Sequence, residues 1–147
     1  HENSMKVFYG CDGLNNINTI EGFDINTIPQ EISYLSHFDA NSSEEATKTF
    51  VENYKAKFNG ETPSQFAAAA YDCVYALYEA LNAAGKSKVS ASMSAEEFCR
   101  VLKEQFDGSF TYSGVTGSNM KWTRGTSGAG YVEKTATKFV VKEADNA

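Results

Sequence analysis

The sequence predicts an α/β chain, and three observations carry that reading. Short apolar runs with strand character open and close the chain, three stretches with helical periodicity fill its middle, and glycines punctuate its last third. At 147 residues, with 41% hydrophobic and 13% aromatic residues, it is long enough to bury one core and has the length of an ordinary domain.

The first strand is predicted over Lys6 to Tyr9, closed by Gly10. Asp12-Gly13 then turns the chain before a helical stretch around Leu14 to Ile20. A second strand spans Glu31 to Phe38, where Ile32 and Tyr34 alternate with polar neighbours. Ser42 and Glu45 have capping-box spacing, and Ala46, Phe50, Tyr54 and Phe58 recur every four residues, so a helix is predicted up to Gly60. The next helix starts at Pro63, whose missing N–H suits a first turn. It runs to Gly85 with Phe66, Ala70, Val74, Leu77 and Leu81 as its apolar face. Ser94 and Glu97 form a second capping box, opening a helix with Phe98, Val101, Leu102 and Phe106 as its buried stripe. Beyond Gly108 the period falls to two. Strands around Met120 to Thr123, Gly130 to Glu133 and Lys138 to Lys142 read as a meander or hairpins. Trp122, the single tryptophan, is expected to close the core there.

Nineteen acidic against thirteen basic residues give a net charge of −6. The basic residues are scattered, which argues against nucleic acid or an anionic membrane as partner. No apolar run approaches the ~18 residues that span a bilayer, and there is no signal-peptide core, so any export signal is expected upstream of these residues. His1 to Met5 read as a non-native leader. Cys11, Cys73 and Cys99 cannot all pair within one chain and match no zinc or redox spacing; Cys73 and Cys99 are expected as small buried hydrophobes. His37 reads as a surface or hinge residue rather than a base or metal ligand. The sequence has no nucleophile elbow, phosphate loop or zinc-protease motif, and no cofactor is expected. A small hydrolase pairing Asp12 with Asp72 is the weakest reading, since Asp72 sits mid-helix in a packing or hydrogen-bonding position.

The run Thr62-Pro63-Ser64-Gln65-Phe66-Ala67-Ala68-Ala69-Ala70-Tyr71-Asp72, the preceding Phe50 to Gly60, and the later Gly114-Val115-Thr116-Gly117 with Met120-Lys121-Trp122 occur in a telling order. Together with Tyr9-Gly10-Cys11-Asp12-Gly13 they resemble the C-terminal half of type I periplasmic solute-binding proteins, the leucine/isoleucine/valine-binding class. The resemblance covers roughly residues 5 to 123; the tail from Arg124 departs from the family's pattern.

The resemblance implies part of a two-lobe fold with ligand held between the lobes, ending in C-terminal β-hairpins. It assigns residues 6–38 to the C-terminal lobe, 39–111 to the helical part of the N-terminal lobe, and 112–147 to returning strands and tail, with a hinge near His37 to Asn41. It implies the extracytoplasmic substrate-binding component of an ABC-type importer for an amino acid or similar small solute. Its partners would be the membrane permease and the missing N-terminal half, with exposed lobe surface open to homodimerisation. A ligand-sensing receptor ectodomain uses the same module and is the alternative; no enzyme is expected. By the resemblance Asp12 accepts hydrogen bonds from the ligand ammonium, which needs a charge partner in a closed cleft; by residue type alone Asp12-Gly13 is a turn. Phe66 covers the ligand side chain or fills an ordinary core position. Tyr9, Cys11 and Leu14 flank Asp12 and either shape the pocket or pack.

Overall fold

The computed structural model describes residues 7–126 and 130–141; the leader His1 to Met5, Lys6 and Lys142 lie outside the described residues. In chain order the elements are β1 (Val7–Gly10), a 3-10 helix (Asp12–Thr19), a single 3-10 turn (Ile25–Thr27), β2 (Glu31–Ser36), α1 (Glu45–Lys57), α2 (Gln65–Ala84), α3 (Ala95–Phe106), β3 (Thr111–Gly114), β4 (Gly117–Arg124), β5 (Gly130–Val132) and β6 (Thr137–Val140). Two compact units result. One runs to His37 and resumes at Ala136; the other spans Phe38 to Thr135.

In the first unit β2 is the central strand of a three-stranded sheet ordered β1-β2-β6. β1 pairs with it in parallel, Gly10 opposite Tyr34, and β6 pairs antiparallel, Ser36 opposite Thr137. The central position explains why Ile32, Ser33 and Ser36 are buried. Tyr34 and Phe139 stack at 5.5 Å on one face, and Lys138 meets Glu31 at 2.6 Å.

The second unit is built on α1, α2 and α3 followed by the meander β3-β4-β5. Phe38, Phe50, Val51 and Ala68 form its core, with Ala40, Tyr54 and Val115 against them. Phe50 meets Phe38 edge-on at 5.8 Å and Tyr71 at 4.7 Å. At the far end of the chain segment, Trp122 lies 4.6 Å from Phe106 and 5.8 Å from Phe110, so the tryptophan joins α3 to the meander. α3 opens on the expected capping box, Ser94 accepting from the Glu97 N–H and the Glu97 carboxylate accepting from the Ser94 N–H.

Several expectations are corrected. The Ser42 hydroxyl accepts from the Glu44 N–H at 3.2 Å; it turns the chain ahead of α1, whose N-cap is Glu44, and makes no capping box with Glu45. α2 is capped by Ser64, which accepts from the Ala67 N–H, so Pro63 stands before the helix and not in its first turn. A hydroxyl that satisfies a free N–H fixes a helix start more strongly than a residue that merely lacks one. Along α1, Phe50 is buried but Ala46 and Phe58 are exposed; Thr47 and Val51 complete the buried face instead.

The larger correction concerns α2. Its buried residues are Gln65, Ala68, Asp72, Ala76 and Ala80, while the expected face is turned outward, Phe66 being 67% and Val74 66% exposed. Small side chains let α3 and β3 approach closely, and that contact sets the helix's orientation. Cys73 and Cys99 are exposed, not buried, as is Cys11. The last strand is no hairpin partner of β5: β6 leaves the meander and pairs with β2.

Candidate functional site

Parallel strands carry their following loops to one sheet edge, and in open α/β sheets ligands bind at that carboxyl edge. Here Cys11 and Asp12 follow β1 and His37 follows β2, at the same edge of the parallel pair. Gly10 makes the turn possible: a Cβ there would fall 2.1 Å from Leu14 Cδ1, so only glycine lets Leu14 fold back over the strand end. The Leu14 N–H donates to the Cys11 carbonyl at 3.1 Å. Cys11 occupies the cap position, and Asp12 lies in the first turn of the 3-10 helix.

Tyr9, Cys11 and Asp12 are therefore contiguous and all exposed. Among the described residues the Asp12 carboxylate has no ion-pair or side-chain hydrogen-bond partner. The Tyr9 ring has the Lys138 ammonium 5.8 Å from its centroid. Lys138 is itself tied to Glu31, and that bond holds the Glu31 carboxyl below the usual carboxylate range and raises Lys138. A free carboxylate at a strand end, flanked by a ring, can accept hydrogen bonds from an ammonium.

Phe66 belongs to the other unit, one residue into α2. Its neighbour Gln65 is buried and the ring of Phe66 projects outward, which removes the ordinary core reading for this residue within the described chain.

A polar cluster in the same unit was only partly anticipated. Asp72, 3% exposed, accepts from the N–H of Val115 at 2.9 Å, from the N–H and hydroxyl of Thr116 at 2.8 and 2.5 Å, and from the Tyr112 hydroxyl at 3.4 Å. Lys134 donates to the Thr116 hydroxyl at 2.6 Å. Burial first, and then the nearby Asp72 charge, raise the Tyr112 phenol above its usual value. The cluster explains Asp72 as a clamp on the β3–β4 turn, and it joins the Ala-Tyr-Asp helix to Gly114-Val115-Thr116-Gly117. Pairing Asp72 with Asp12 for hydrolysis finds no support, since every Asp72 contact is structural.

Beside this clamp runs an open groove of about 670 Å³, lined by Glu45, Tyr71, Tyr75, Glu79, Phe110 and Tyr112 among others. The Tyr71 and Tyr75 rings lie 4.5 Å apart, and desolvation raises the Tyr71 phenol. The groove was missed from sequence; its only signal is the four-residue stride of Tyr71, Tyr75 and Glu79. Among the described residues no group of histidine, cysteine or carboxylate side chains could hold a metal ion, and no helix is long and apolar enough to cross a membrane.

No protein-family model matches the sequence, and no curated protein matches it significantly. Among solved structures, a protein of Rhodospirillum rubrum assigned as a branched-chain amino acid ABC transporter superposes with a TM-score of 0.60 at 25% identity, over 92% of this chain and 34% of its own. The branched-chain amino acid transporter substrate-binding protein LivJ of Streptococcus pneumoniae, solved with isoleucine, matches with a TM-score of 0.44 at 24% identity, over 72% of this chain and 30% of its own. Both neighbours are transport proteins, not enzymes. The chain thus spans about a third of the length of the structures it resembles. Its fold is similar to part of that Rhodospirillum rubrum protein, a periplasmic-binding-protein-like α/β architecture.

Proposed function

We propose that this chain is part of the extracytoplasmic substrate-binding component of an ABC-type importer, taking an amino acid or similar small solute between two lobes. The observation that carries the reading is the likeness over 92% of the chain to a transporter protein. Residues 6–38 contribute to one lobe and 39–111 to the other, with 112–147 returning between them and the hinge near His37 to Asn41. Asp12 accepts the ligand ammonium; Tyr9 and Cys11 shape that end of the pocket, and Phe66 covers the ligand side chain from the second lobe. Lobe closure follows from tighter binding to the closed state, and the closed form docks on a membrane permease.

The free carboxylate of Asp12 supports its role, since an ammonium leaving water needs such a partner. The test uses a chimera in which this chain replaces the matched third of the Rhodospirillum rubrum protein. A panel of amino acids at ~100 times the dissociation constant should stabilise the chimera by about 2.7 kcal/mol, and should leave the isolated chain unmoved. Asp12→Asn in the chimera should abolish the shift. A chimera that binds equally well without the Asp12 charge would overturn the role given to it; a shift in the isolated chain would overturn the two-lobe reading.

A further inference from the structure

The groove beside the Asp72 clamp is built entirely within the second unit, from the first half of α1, one side of α2 and β3. At about 100° per residue, Tyr71, Tyr75 and Glu79 centre about 180° round α2 from Phe66, so the groove is separate from the ligand-facing role given to that ring. Its volume of about 670 Å³ is that of an ordinary small-molecule site.

Its walls combine aromatic rings with negative charge. Tyr71, Tyr75, Phe110 and Tyr112 line it. Elsewhere lysine ammoniums lie over Phe58 at 6.0 Å and Tyr9 at 5.8 Å, but among the described residues no lysine or arginine lies over any ring of the groove. Glu45 and Glu79 line it too, and among the described residues neither carboxylate has an ion-pair or hydrogen-bond partner. Burial first, and then Asp72, raise the Tyr112 phenol, and the Glu79 charge adds to the rise; the field of that carboxylate therefore reaches the ring. No lysine, arginine or histidine is among the lining residues. Ring faces attract a cation, and unpaired carboxylates add attraction of the same sense.

We propose that this groove binds a free organic cation of the quaternary ammonium class, one that carries no anionic group of its own. A primary ammonium brings three N–H donors that ring faces satisfy poorly, whereas a quaternary centre brings none and suits an aromatic wall. The missing base excludes a phosphocholine headgroup and an amino acid alike, since either would bring an anion with no partner to receive it. The inference stands apart from the importer reading, because every lining residue belongs to this chain's second unit.

The probe is choline chloride, titrated into this chain by calorimetry at about 0.15 M salt. Beside it runs 3,3-dimethylbutan-1-ol, which has the same shape without the charge. Choline should bind with a Kd of about 1 mM or tighter, and at least about tenfold more tightly than the alcohol. Glu79→Gln and Tyr75→Leu, both at exposed positions, should each weaken binding at least about fivefold and leave the melting temperature within about 2 °C. Amide resonances that shift on binding should gather at Tyr71, Tyr75, Glu79 and Tyr112. No binding up to about 20 mM, equal binding of the alcohol, or undiminished binding by Glu79→Gln overturns the proposal. So do shifts gathered at Cys11 and Asp12, or attachment of the chain to phosphatidylcholine vesicles, which would make a lipid headgroup the occupant. Neither probe is an amino acid, so failure here is distinguishable from failure of amino-acid binding.

Discussion

Asp72 holds Thr116 twice: one carboxylate oxygen accepts from both its backbone N–H and its hydroxyl, 44 positions further along the chain. The bonds close the β3–β4 turn onto the middle of α2 and leave the buried carboxylate fully engaged. Removing the carboxylate strands two backbone donors and a hydroxyl in a buried place, each costing about 1–3 kcal/mol unless water enters. Asp72→Ala is therefore expected to lower stability by about 3 kcal/mol in urea unfolding. A loss below about 0.5 kcal/mol would show that the clamp contributes nothing net.

Gly114 is the counterpart of that clamp. A Cβ there would sit 2.2 Å from Asp72 Oδ1 and 2.6 Å from Tyr112 Cε1, so Gly114→Ala must push the carboxylate off its donors. We expect about 2 kcal/mol of destabilisation, with much of it absent when Asp72 is already alanine. A double-mutant cycle checks this, since residues in contact couple by about 0.5–3 kcal/mol; strict additivity would place the clash elsewhere.

Asp107, at the end of α3, accepts from Arg124 Nε and Nη2 at 3.0 and 2.7 Å and also pairs with Lys103. Arg124 first and Lys103 second hold its carboxyl down at about 2, below the ordinary value of about 3.9. A depressed folded value means the stabilisation is present above pH ~4 and is lost as pH falls toward 2. The Asp107 carboxyl resonance should titrate near 2, and Arg124→Gln should move the midpoint upward. Identical midpoints in the two proteins would remove Arg124 as the cause. The pair is exposed, so added salt should weaken the effect.

Asp12 and Phe66 should behave as binding residues that the fold does not need. Both are exposed, so Asp12→Asn and Phe66→Ala are expected to change the isolated chain's unfolding midpoint by no more than about 0.5 kcal/mol. Phe66→Ala falling by 3 kcal/mol or more, as for a core aromatic, would return that ring to a packing role.

Ser94→Ala removes the hydroxyl that accepts from the Glu97 N–H, while the Glu97 carboxylate keeps its bond from the backbone N–H of residue 94, and should cost about 1 kcal/mol, read from unfolding. Ser42→Ala should cost far less, because the Ser42 hydroxyl serves a turn outside the helix.

The elements themselves were legible because their signals are local: the Ser94 and Glu97 pair, the Val101 stripe and the glycines around β3 and β4 all act within a few residues. The faces of α2 were not. Phe66, Val74 and Leu77 are the more hydrophobic side, so periodicity selects them, whereas the alanines win by close approach to α3 and by the Asp72 bonds, which depend on residues forty positions away. The pairing of β6 with β2 was hidden for the same reason. For the candidate site, Tyr9, Cys11 and Asp12 could be grouped from sequence because they are contiguous. The groove beside Tyr71 and Tyr75 could not, because α1, α2 and β3 meet only through tertiary structure.

The register that sets Ser36 opposite Thr137 makes the chain depart from and return to the first unit at neighbouring points, with everything from Phe38 to Thr135 hung between them. The longer unit is in effect an insertion into a hairpin. A short turn joining His37 to Ala136 would span the few ångströms between opposed strands and leave β1, β2 and β6 paired as they are. It would also replace a closure across about a hundred residues with one across a handful, relieving about 2 kcal/mol or more of loop entropy at ~0.6 kcal/mol per doubling. The first unit thus carries its own excision points.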